Sequence, residues 1–176
     1  IYVPVILPGE MFAPTTISKK DCLSQLERIF TNPQCSVIMH NGKFDLEILL
    51  NNGMNQNITC QIIDTMVAAW LLDPSSTGKS PYSLEYLGEK FLGLKGIEFN
   101  QIVPKGKTFA DLELEIAYPY GAEDADFTWQ LWECFEPKLK DANLNEIFFE
   151  IEMKILPILV SMEMEGIHLD KSVLNE

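Results

Sequence analysis

The sequence predicts an α/β protein, because short apolar segments typical of buried β-strands alternate with helix patterns in its first half. The strand patterns cover residues 36–39 and 60–63, and a helix pattern follows each of them, over residues 44–52 and 64–72. Alternation of this kind favours parallel pairing, since the helix between two strands returns the chain to the same end of the sheet. The second half carries longer helix patterns. We therefore predict a layered α/β core followed by a helix-rich C-terminal half.

Individual residues mark the boundaries predicted for the first half. Residues 1–7 are rich in β-branched and aromatic side chains and predict a further strand. Ser18 is suited to cap the helix that follows, and Gly53 is suited to end the helix after the next strand. Asp64 is predicted to cap the helix that begins directly after it.

The second half predicts three helices separated by loops. The first ends at Gly93 and is followed by a polar loop. The next covers residues 120–139, directly after Pro119, which we expect to break any helix that extends further upstream. The last covers residues 144–165, with an interruption at Pro157.

The composition predicts one folded domain in a reducing compartment. Hydrophobic residues make up 47% of the 176 residues, which is enough for a substantial core. The four cysteines are widely spaced and include no CxxC pair, which is typical of free thiols in a cytoplasmic protein. No apolar run approaches the roughly 18 residues of a membrane span, so we predict no membrane partner. The tryptophans predicted to be core residues are Trp70, Trp129 and Trp132.

The net charge of −13 limits the partners that the chain can bind alone. Nucleic-acid surfaces are normally basic, because lysine and arginine contacts release counterions from phosphates. We therefore expect weak binding of DNA or RNA by these residues in isolation. The acidity fits metal-dependent chemistry, or a module that uses the basic surface of a neighbouring domain, and it is also common among soluble proteins.

Acidic residues at two helix starts are the candidate site residues. Asp45 begins the helix after the strand over residues 36–39. Tyr120 precedes Asp124 by one turn, which places both on one helix face. Two aspartates from different helices could together form a pocket for a divalent metal. Each could instead simply stabilise the start of its helix, because the free amides and the dipole of a helix N-terminus favour acidic residues. We interpret Asp64 in this way, as a capping residue.

Taken in order, several segments resemble the 3′–5′ proofreading exonuclease domain of bacterial DNA polymerase I, a family A polymerase. Residues 41–45, Asn-Gly-Lys-Phe-Asp, resemble the second exonuclease motif of that family, and residues 120–124, Tyr-Gly-Ala-Glu-Asp, resemble the third. Further similar segments lie between them, and residues 151–170 resemble the entry to the polymerase domain. The likeness covers nearly the whole chain with its motifs in the expected order.

The resemblance implies a ribonuclease H-like fold and a two-metal hydrolysis of the 3′-terminal phosphodiester of DNA. Asp124 would bind one metal directly, Asp45 would hold the second through water, and Tyr120 would position the attacking water. The ions would be Mg²⁺ or Mn²⁺, with Zn²⁺ as an alternative at one position. The DNA partner would be the single-stranded 3′ end of a primer. The residues expected to bind it are Asn41, Phe44, Lys105 and Lys107.

The resemblance also divides the chain. Residues 1–143 correspond to an exonuclease domain that is incomplete at its N-terminus, lacking its first strands. Residues 144–176 correspond to a helix and the start of the polymerase domain, which is the second predicted partner. The first motif of the family, an Asp-x-Glu pair, is expected upstream of Ile1 together with about two strands. We therefore expect little or no nuclease activity from the 176 residues alone.

Two other functions fit the same motifs. A non-catalytic exonuclease-like module would only support the polymerase domain, but the presence of Asp45, Tyr120 and Asp124 together argues against it. An exoribonuclease similar to ribonuclease D would share the fold. The segment over residues 151–170, with its likeness to the polymerase entry, argues against that alternative.

Overall fold

The structure, a computed structural model, describes residues 2–5, 17–78, 80–170 and 173. Within them the strands are β1, Ser36–Met39, and β2, Gln61–Asp64. The helices in chain order are α1 (Lys19–Phe30), α2 (Gly42–Asn51), α3 (Thr65–Leu72), α4 (Leu84–Leu87), α5 (Phe99–Ile102), α6 (Leu114–Asp141), α7 (Asn145–Ile147) and α8 (Met153–Glu165). Two π-helical segments, Gly88–Leu92 and Phe148–Glu152, continue α4 and lead into α8, and a 3₁₀ turn covers Phe109–Asp111.

The two strands form a parallel pair, which confirms the mixed α/β class. Ser36 lies opposite Gln61 and Met39 lies opposite Asp64, and α2 connects the strands. Because parallel strands run in the same direction, their C-terminal ends meet at one end of the sheet. The turn that leaves β1 therefore lies beside Asp64, and α2 and α3 start from neighbouring points.

The carboxylate of Asp64 joins these two helix starts. The residue is only 1% exposed. Its Oδ1 accepts a hydrogen bond from the backbone N–H of Met66 at 2.9 Å, which caps α3 as the sequence predicted. The backbone N–H of Asn41 also donates to Oδ1, at 3.2 Å, and that of Gly42 donates to Oδ2 at 2.7 Å. A buried carboxylate is tolerated only when it is hydrogen-bonded, so the start of α2 depends on the start of α3.

The main core lies between the sheet and the long helices of the second half. α6 packs against α3 and β1, and α8 packs against α2 and β2. Leu131, Phe135 and Leu139 of α6 are completely buried, together with Phe148. The ring of Phe91 meets that of Phe135 edge-on, with 5.0 Å between the ring centroids. None of the helices formed by the described residues is long and apolar enough to cross a membrane.

α6 begins earlier than the sequence predicted. It starts at Leu114, so Pro119 lies inside the helix and does not break it. A proline in a helix interior removes one hydrogen bond and costs about 3 kcal/mol. Packing on the N-terminal side of Pro119 opposes that cost, since Ala117 is buried in a second apolar cluster with Val103 and Leu112. The prediction of a break at Pro119 is therefore wrong.

α8 is also continuous where an interruption was predicted. Pro157 lies inside it, between Leu156 and Val160, which are 4% and 1% exposed in the main core. Burial of such side chains stabilises by about 1.5–3 kcal/mol each, which holds the helix on both sides of the missing hydrogen bond.

Three smaller predictions also need correction. Residues 2–5, part of the strand predicted over residues 1–7, are irregular, and the rest of that segment lies outside the described residues. The polar loop after Gly93 contains the short helix α5. Trp70 and Trp129 are 44% and 54% exposed, so of the three tryptophans Trp132 alone is a core residue.

Gly88 allows the π-helical segment after α4 to approach α6 closely. A Cβ atom at this position would lie 2.7 Å from Cδ2 and 2.8 Å from Cε2 of Phe127. Phe127 is itself buried, at 6% exposure, so its ring has little room to move away.

We expect Asp64→Ala to lower the free energy of unfolding by about 3–5 kcal/mol, because it leaves the buried amides of two helix starts without an acceptor. Urea denaturation measures this change. Ser18→Ala is a suitable control, because Ser18 caps only the exposed start of α1 and its loss should cost about 1 kcal/mol. Equal losses for the two variants would contradict the role of Asp64.

We expect Gly88→Ala to lower the free energy of unfolding by about 1–3 kcal/mol, because the added methyl group overlaps the Phe127 ring. The same denaturation experiment measures it. Adding Phe127→Leu to this variant should recover part of the loss, and a double variant in which the two losses simply add would argue against the overlap.

Candidate functional site

An open cleft contains the residues that were predicted to be catalytic. Its lining includes part of α1, strand β1, the first half of α2, the start of α4 and one face of α6. Asp45, Glu85, Tyr120 and Asp124 all line it. The fold therefore places the two sequence motifs on one surface, although they are far apart in the chain.

Asp45 is positioned by the turn between β1 and α2. Asn41 adopts the left-handed conformation, with φ 60° and ψ 47°, which asparagine tolerates better than most residues. Gly42 follows in a confined space, where a Cβ atom would lie 3.0 Å from the Cβ of Met39. Both backbone amides of this turn donate to Asp64. With the turn held in this way, Asp45 lies in the first turn of α2 and faces the cleft.

α6 presents Tyr120 and Asp124 on the same face, as their spacing predicted. The Tyr120 hydroxyl and the carboxylate of Asp124 lie close enough to shift each other's pKa. The Tyr120 ring packs against Phe109, with 5.5 Å between ring centroids, and against Phe99, with 6.3 Å. The packing of the ring thus limits where the hydroxyl lies.

Partial burial and neighbouring negative charges raise the pKa of both aspartates. Asp45 stays open to solvent at the mouth of the cleft, yet partial burial raises its pKa to about 6, and the charge of Asp64 adds to the shift. Burial also raises the pKa of Asp124 to about 6. The negative charges that reinforce the second shift, strongest first, are those of Glu85, Glu123 and Asp45.

The same surroundings keep Tyr120 protonated. Burial raises the pKa of its hydroxyl to about 12, and the charges of Asp124 and Glu85 reinforce the shift. A neutral phenol can donate a hydrogen bond to a carboxylate such as that of Asp124 and can still accept a hydrogen bond from a water molecule.

Glu85 and His40 also shape the cleft, although the sequence did not single them out as site residues. Glu85 lies in the first turn of α4, where a glutamate is ordinary, so a single sequence carries no signal of its role. His40 ends the β1 segment, with Nδ1 2.9 Å from Oγ1 of Thr65 and Nε2 3.0 Å from the carbonyl oxygen of Tyr82. Burial lowers the pKa of His40, as is usual for a neutral histidine that is hydrogen-bonded inside a protein.

The four predicted substrate-binding residues fall into two groups. Asn41 and Phe44 line the cleft, and the Phe44 side chain is 56% exposed there. Lys105 and Lys107 are not part of its lining. They lie in a turn closed by the amide of Lys107, which donates to the carbonyl of Pro104 at 3.0 Å.

The cleft provides some of the oxygen ligands that a hard divalent cation requires. Asp45 and Asp124 offer oxygen ligands, and a bound cation would relieve the repulsion that raises the pKa of both. Among the residues that the structure describes, no group of three or more His, Cys, Asp or Glu lies close enough together to hold a metal. The two aspartates therefore provide part of a ligand set.

Comparison with known protein families connects the chain that carries this cleft with a class of nuclease. A family described as 3′-5′ exonuclease matches residues 8–140. The chain belongs to this 3′–5′ exonuclease family. The match includes both motifs, residues 41–45 and 120–124, and it confirms the resemblance that they predicted.

This exonuclease chain is similar to proteins named DNA polymerase I. That of Treponema pallidum is 41% identical over 154 residues, which cover 88% of the chain and 15% of the relative. That of Borreliella burgdorferi is 38% identical over 174 residues, 98% of the chain and 18% of the relative. That of Rhizobium leguminosarum is 31% identical over 184 residues, 99% of the chain and 18% of the relative. The chain thus spans less than a fifth of the length of these relatives.

Without divalent ions, the charge of Asp124 in the cleft should destabilise the fold once the pH rises above its pKa of about 6. The pKa of Asp124 is about 6 in the folded protein, against an ordinary value of 3.8. The folded state therefore binds more protons than the unfolded state between these values, and the free energy of unfolding falls as pH rises through this window. We expect Asp124→Asn to raise the free energy of unfolding at pH 8 by about 1 kcal/mol, since solvent screens part of the effect at a partly exposed group.

Urea denaturation in EDTA at pH 5 and pH 8 measures this gain. The gain should be present at pH 8 and much smaller at pH 5, where Asp124 is mostly protonated. Asp126→Asn is the matched control, because Asp126 is exposed on the same helix and bonded to Gln130. An equal gain from Asp126→Asn would show that the effect does not come from the cleft.

Proposed function

We propose that the chain is the proofreading exonuclease domain of a DNA polymerase I, and that its cleft hydrolyses the 3′-terminal phosphodiester of DNA. The proposal depends on one observation. Asp45, Tyr120 and Asp124 line the same cleft in a chain that belongs to the 3′–5′ exonuclease family. Two relatives of the chain are named DNA polymerase I, which supports the proposal that this domain is part of such a protein.

Three side chains of the cleft would act together in the reaction. Bound Mg²⁺ or Mn²⁺ would supply an activated water and would stabilise the charge that develops on the leaving oxygen. Asp124 would hold one ion directly and Asp45 would hold the other through water. At pH 8 both carboxylates are charged, because each has a pKa of about 6.

Tyr120 would orient the attacking water. Its hydroxyl lies near Asp124 and stays protonated, and its oxygen can accept a hydrogen bond from that water. The packed ring limits the positions that the hydroxyl can take, which favours one direction of attack.

The proposal includes a ribonuclease H-like fold for the full-length domain. It also includes further metal ligands supplied by other parts of the full-length protein. The parallel β1–α2–β2 unit, with site residues beyond the C-terminal end of β1, supports this fold. An Asp-x-Glu pair on a strand upstream of Ile1 would supply the missing carboxylates. The division between residues 143 and 144 stays a prediction.

The DNA strand would enter the cleft with its 3′ end. Phe44 offers an exposed ring on which a base can stack, and Asn41 lies beside it. Lys105 and Lys107 would contact the strand outside the cleft. Because the chain has a net charge of −13, most of the phosphate-binding surface would come from the polymerase domain.

In the full-length protein, we expect Asp124→Ala and Asp45→Ala each to slow the excision of a mismatched 3′ primer end by more than about 100-fold, because each removes a metal-holding carboxylate. Tyr120→Phe should slow it by about tenfold, through the loss of one hydrogen bond to the attacking water. A gel time course with a labelled primer–template and Mg²⁺ measures the rates, and primer extension by the same samples reports folding.

Asp126→Ala is the matched control and should excise at the unmutated rate, since Asp126 is exposed and outside the cleft lining. Primer extension without any excision by the unmutated protein would favour the non-catalytic module. Faster removal of RNA ends than of DNA ends would favour a ribonuclease D-like activity.

A further inference from the structure

Residues 94–113, which we name the strap, connect the π-helical segment after α4 with the start of α6. The strap contains the short helix α5 and the 3₁₀ turn over Phe109–Asp111. The proposed reaction uses only its two lysines, Lys105 and Lys107. The strap also contacts α6 around Tyr120, the residue proposed to orient the attacking water, so these contacts bear on the geometry of the attack.

Glu123 of α6 holds the first part of the strap. Its Oε1 accepts a hydrogen bond from the backbone N–H of Ile97 at 2.6 Å, across 26 positions of the chain. Hydrogen bonds to a carboxylate are shorter and stronger than those between neutral groups. Stabilisation of a helix start does not explain this glutamate, because α6 begins well before it, at Leu114. Glu123 also lies outside the lining of the cleft, although Tyr120 and Asp124 on either side of it in the chain are part of that lining.

Gly96 allows the strap to approach Glu123 closely. A Cβ atom at this position would lie 3.1 Å from Oε1 of Glu123 and 3.3 Å from Cε2 of Phe127. Phe127 is buried and has little room to move away. A side chain at position 96 would therefore push the strap away from the carboxylate that binds it.

Two aromatic rings of the strap pack against the ring of Tyr120. The distance between ring centroids is 5.5 Å for Phe109 and 6.3 Å for Phe99. The two phenylalanine rings also stack on each other, with 6.4 Å between their centroids. The position of the Tyr120 ring therefore depends on the position of the strap.

The strap is attached to α6 on both sides of Tyr120. Ala117, three residues earlier, is buried in the second apolar cluster together with strap residues. Glu123, three residues later, binds the amide of Ile97. Residues three apart are neighbours on a helix surface, so the two attachments lie on either side of the Tyr120 ring. Without the contact at Glu123, the chain that leads into Phe99 would lose its link to the helix, while the apolar cluster would still hold the other end.

We propose that Glu123 is a positioning residue of the exonuclease cleft. It fixes the strap on α6 through the amide of Ile97, and the rings of the strap then keep the hydroxyl of Tyr120 where it can orient the attacking water. The inference rests on the proposed function of the cleft. It has two consequences that can be measured: the acceptor oxygen of Glu123 matters more than its charge, and its effect on the reaction requires the Tyr120 hydroxyl.

The first test separates the acceptor from the charge in the full-length protein. Glu123→Gln removes the charge but keeps a carbonyl oxygen that can accept from the amide, whereas Glu123→Ala removes both. At saturating primer–template and Mg²⁺, we expect Glu123→Ala to slow excision of a mismatched 3′ end by about 3- to 10-fold, because a misplaced hydroxyl loses its effect on the water. Glu123→Gln should excise within about twofold of the unmutated rate, because its acceptor is retained.

Glu133→Ala is the matched control, because Glu133 is an exposed glutamate of the same helix outside the cleft lining. It should excise at the unmutated rate. Primer extension by the same samples reports folding.

The second test asks whether Glu123 acts through Tyr120. Tyr120→Phe keeps the ring and removes the hydroxyl, so a shift of the ring no longer affects the attacking water. In the Tyr120→Phe background, Glu123→Ala should therefore change the excision rate by less than about twofold. A general structural defect would slow excision by the same factor in both backgrounds.

Hydrogen exchange measured by mass spectrometry reports the strap directly. Peptides from residues 94–99 should exchange about tenfold faster in Glu123→Ala than in the unmutated protein, because the amide of Ile97 loses its acceptor. Gly96→Ala should also speed this exchange, since its methyl group displaces the strap. Glu123→Gln and Glu133→Ala should exchange at the unmutated rate.

Equal slowing of excision by Glu123→Gln and Glu123→Ala would overturn the inference, because the charge would then be responsible. Equal factors in the two Tyr120 backgrounds, or unchanged exchange of the strap in Glu123→Ala, would overturn it as well. Each of these results would leave the proposed function intact if Asp124→Ala still abolished excision. Absence of excision by the unmutated protein would reject the proposed function and the catalytic consequence of Glu123 with it, and the exchange data would still decide whether Glu123 fixes the strap.

Discussion

The buried carboxylate of Asp64 is the contact on which the arrangement of the site depends. It accepts backbone hydrogen bonds from Asn41 and Gly42, at the start of α2, and from Met66 in the first turn of α3. The first of these helices carries Asp45, and the second packs against α6, which carries Tyr120 and Asp124. Because every oxygen of a buried carboxylate needs donors, a shift of either helix would leave polar groups unpaired. The two halves of the cleft are therefore held in one relative position.

The cleft brings several carboxylates close together, and this arrangement is unfavourable for the stability of the fold. Asp45 and Asp124 have a raised pKa because they are partly removed from water and lie among other carboxylates. Such strain is common at functional sites, where a ligand of opposite charge relieves it. Tyr120 responds to the same field by remaining protonated, which suits a group that orients water. One electrostatic environment thus acts on both aspartates and on the tyrosine.

The long helices of the second half show packing that overrides local preference. Pro119 and Pro157 each remove a backbone hydrogen bond, yet α6 and α8 continue through them. Leu156 and Val160 are buried beside the second proline, and the ring of Tyr120 packs against Phe109 just after the first. These tertiary contacts place Tyr120 inside a continuous helix rather than at a helix start. The face of α6 that lines the cleft therefore belongs to a helix that also forms part of the core.

Local sequence patterns were enough to predict the α/β class, both strands of the parallel pair, the capping role of Asp64 and the shared face of Tyr120 and Asp124. These features depend on apolar periodicity, capping chemistry and the spacing of residues along a helix, which are local. Three features depend on the three-dimensional packing: the passage of α6 through Pro119, the exposure of Trp129, and the presence of Glu85 in the same cleft as Asp124. The energies of these features come from contacts between segments distant in the chain, and a local pattern contains no information about them.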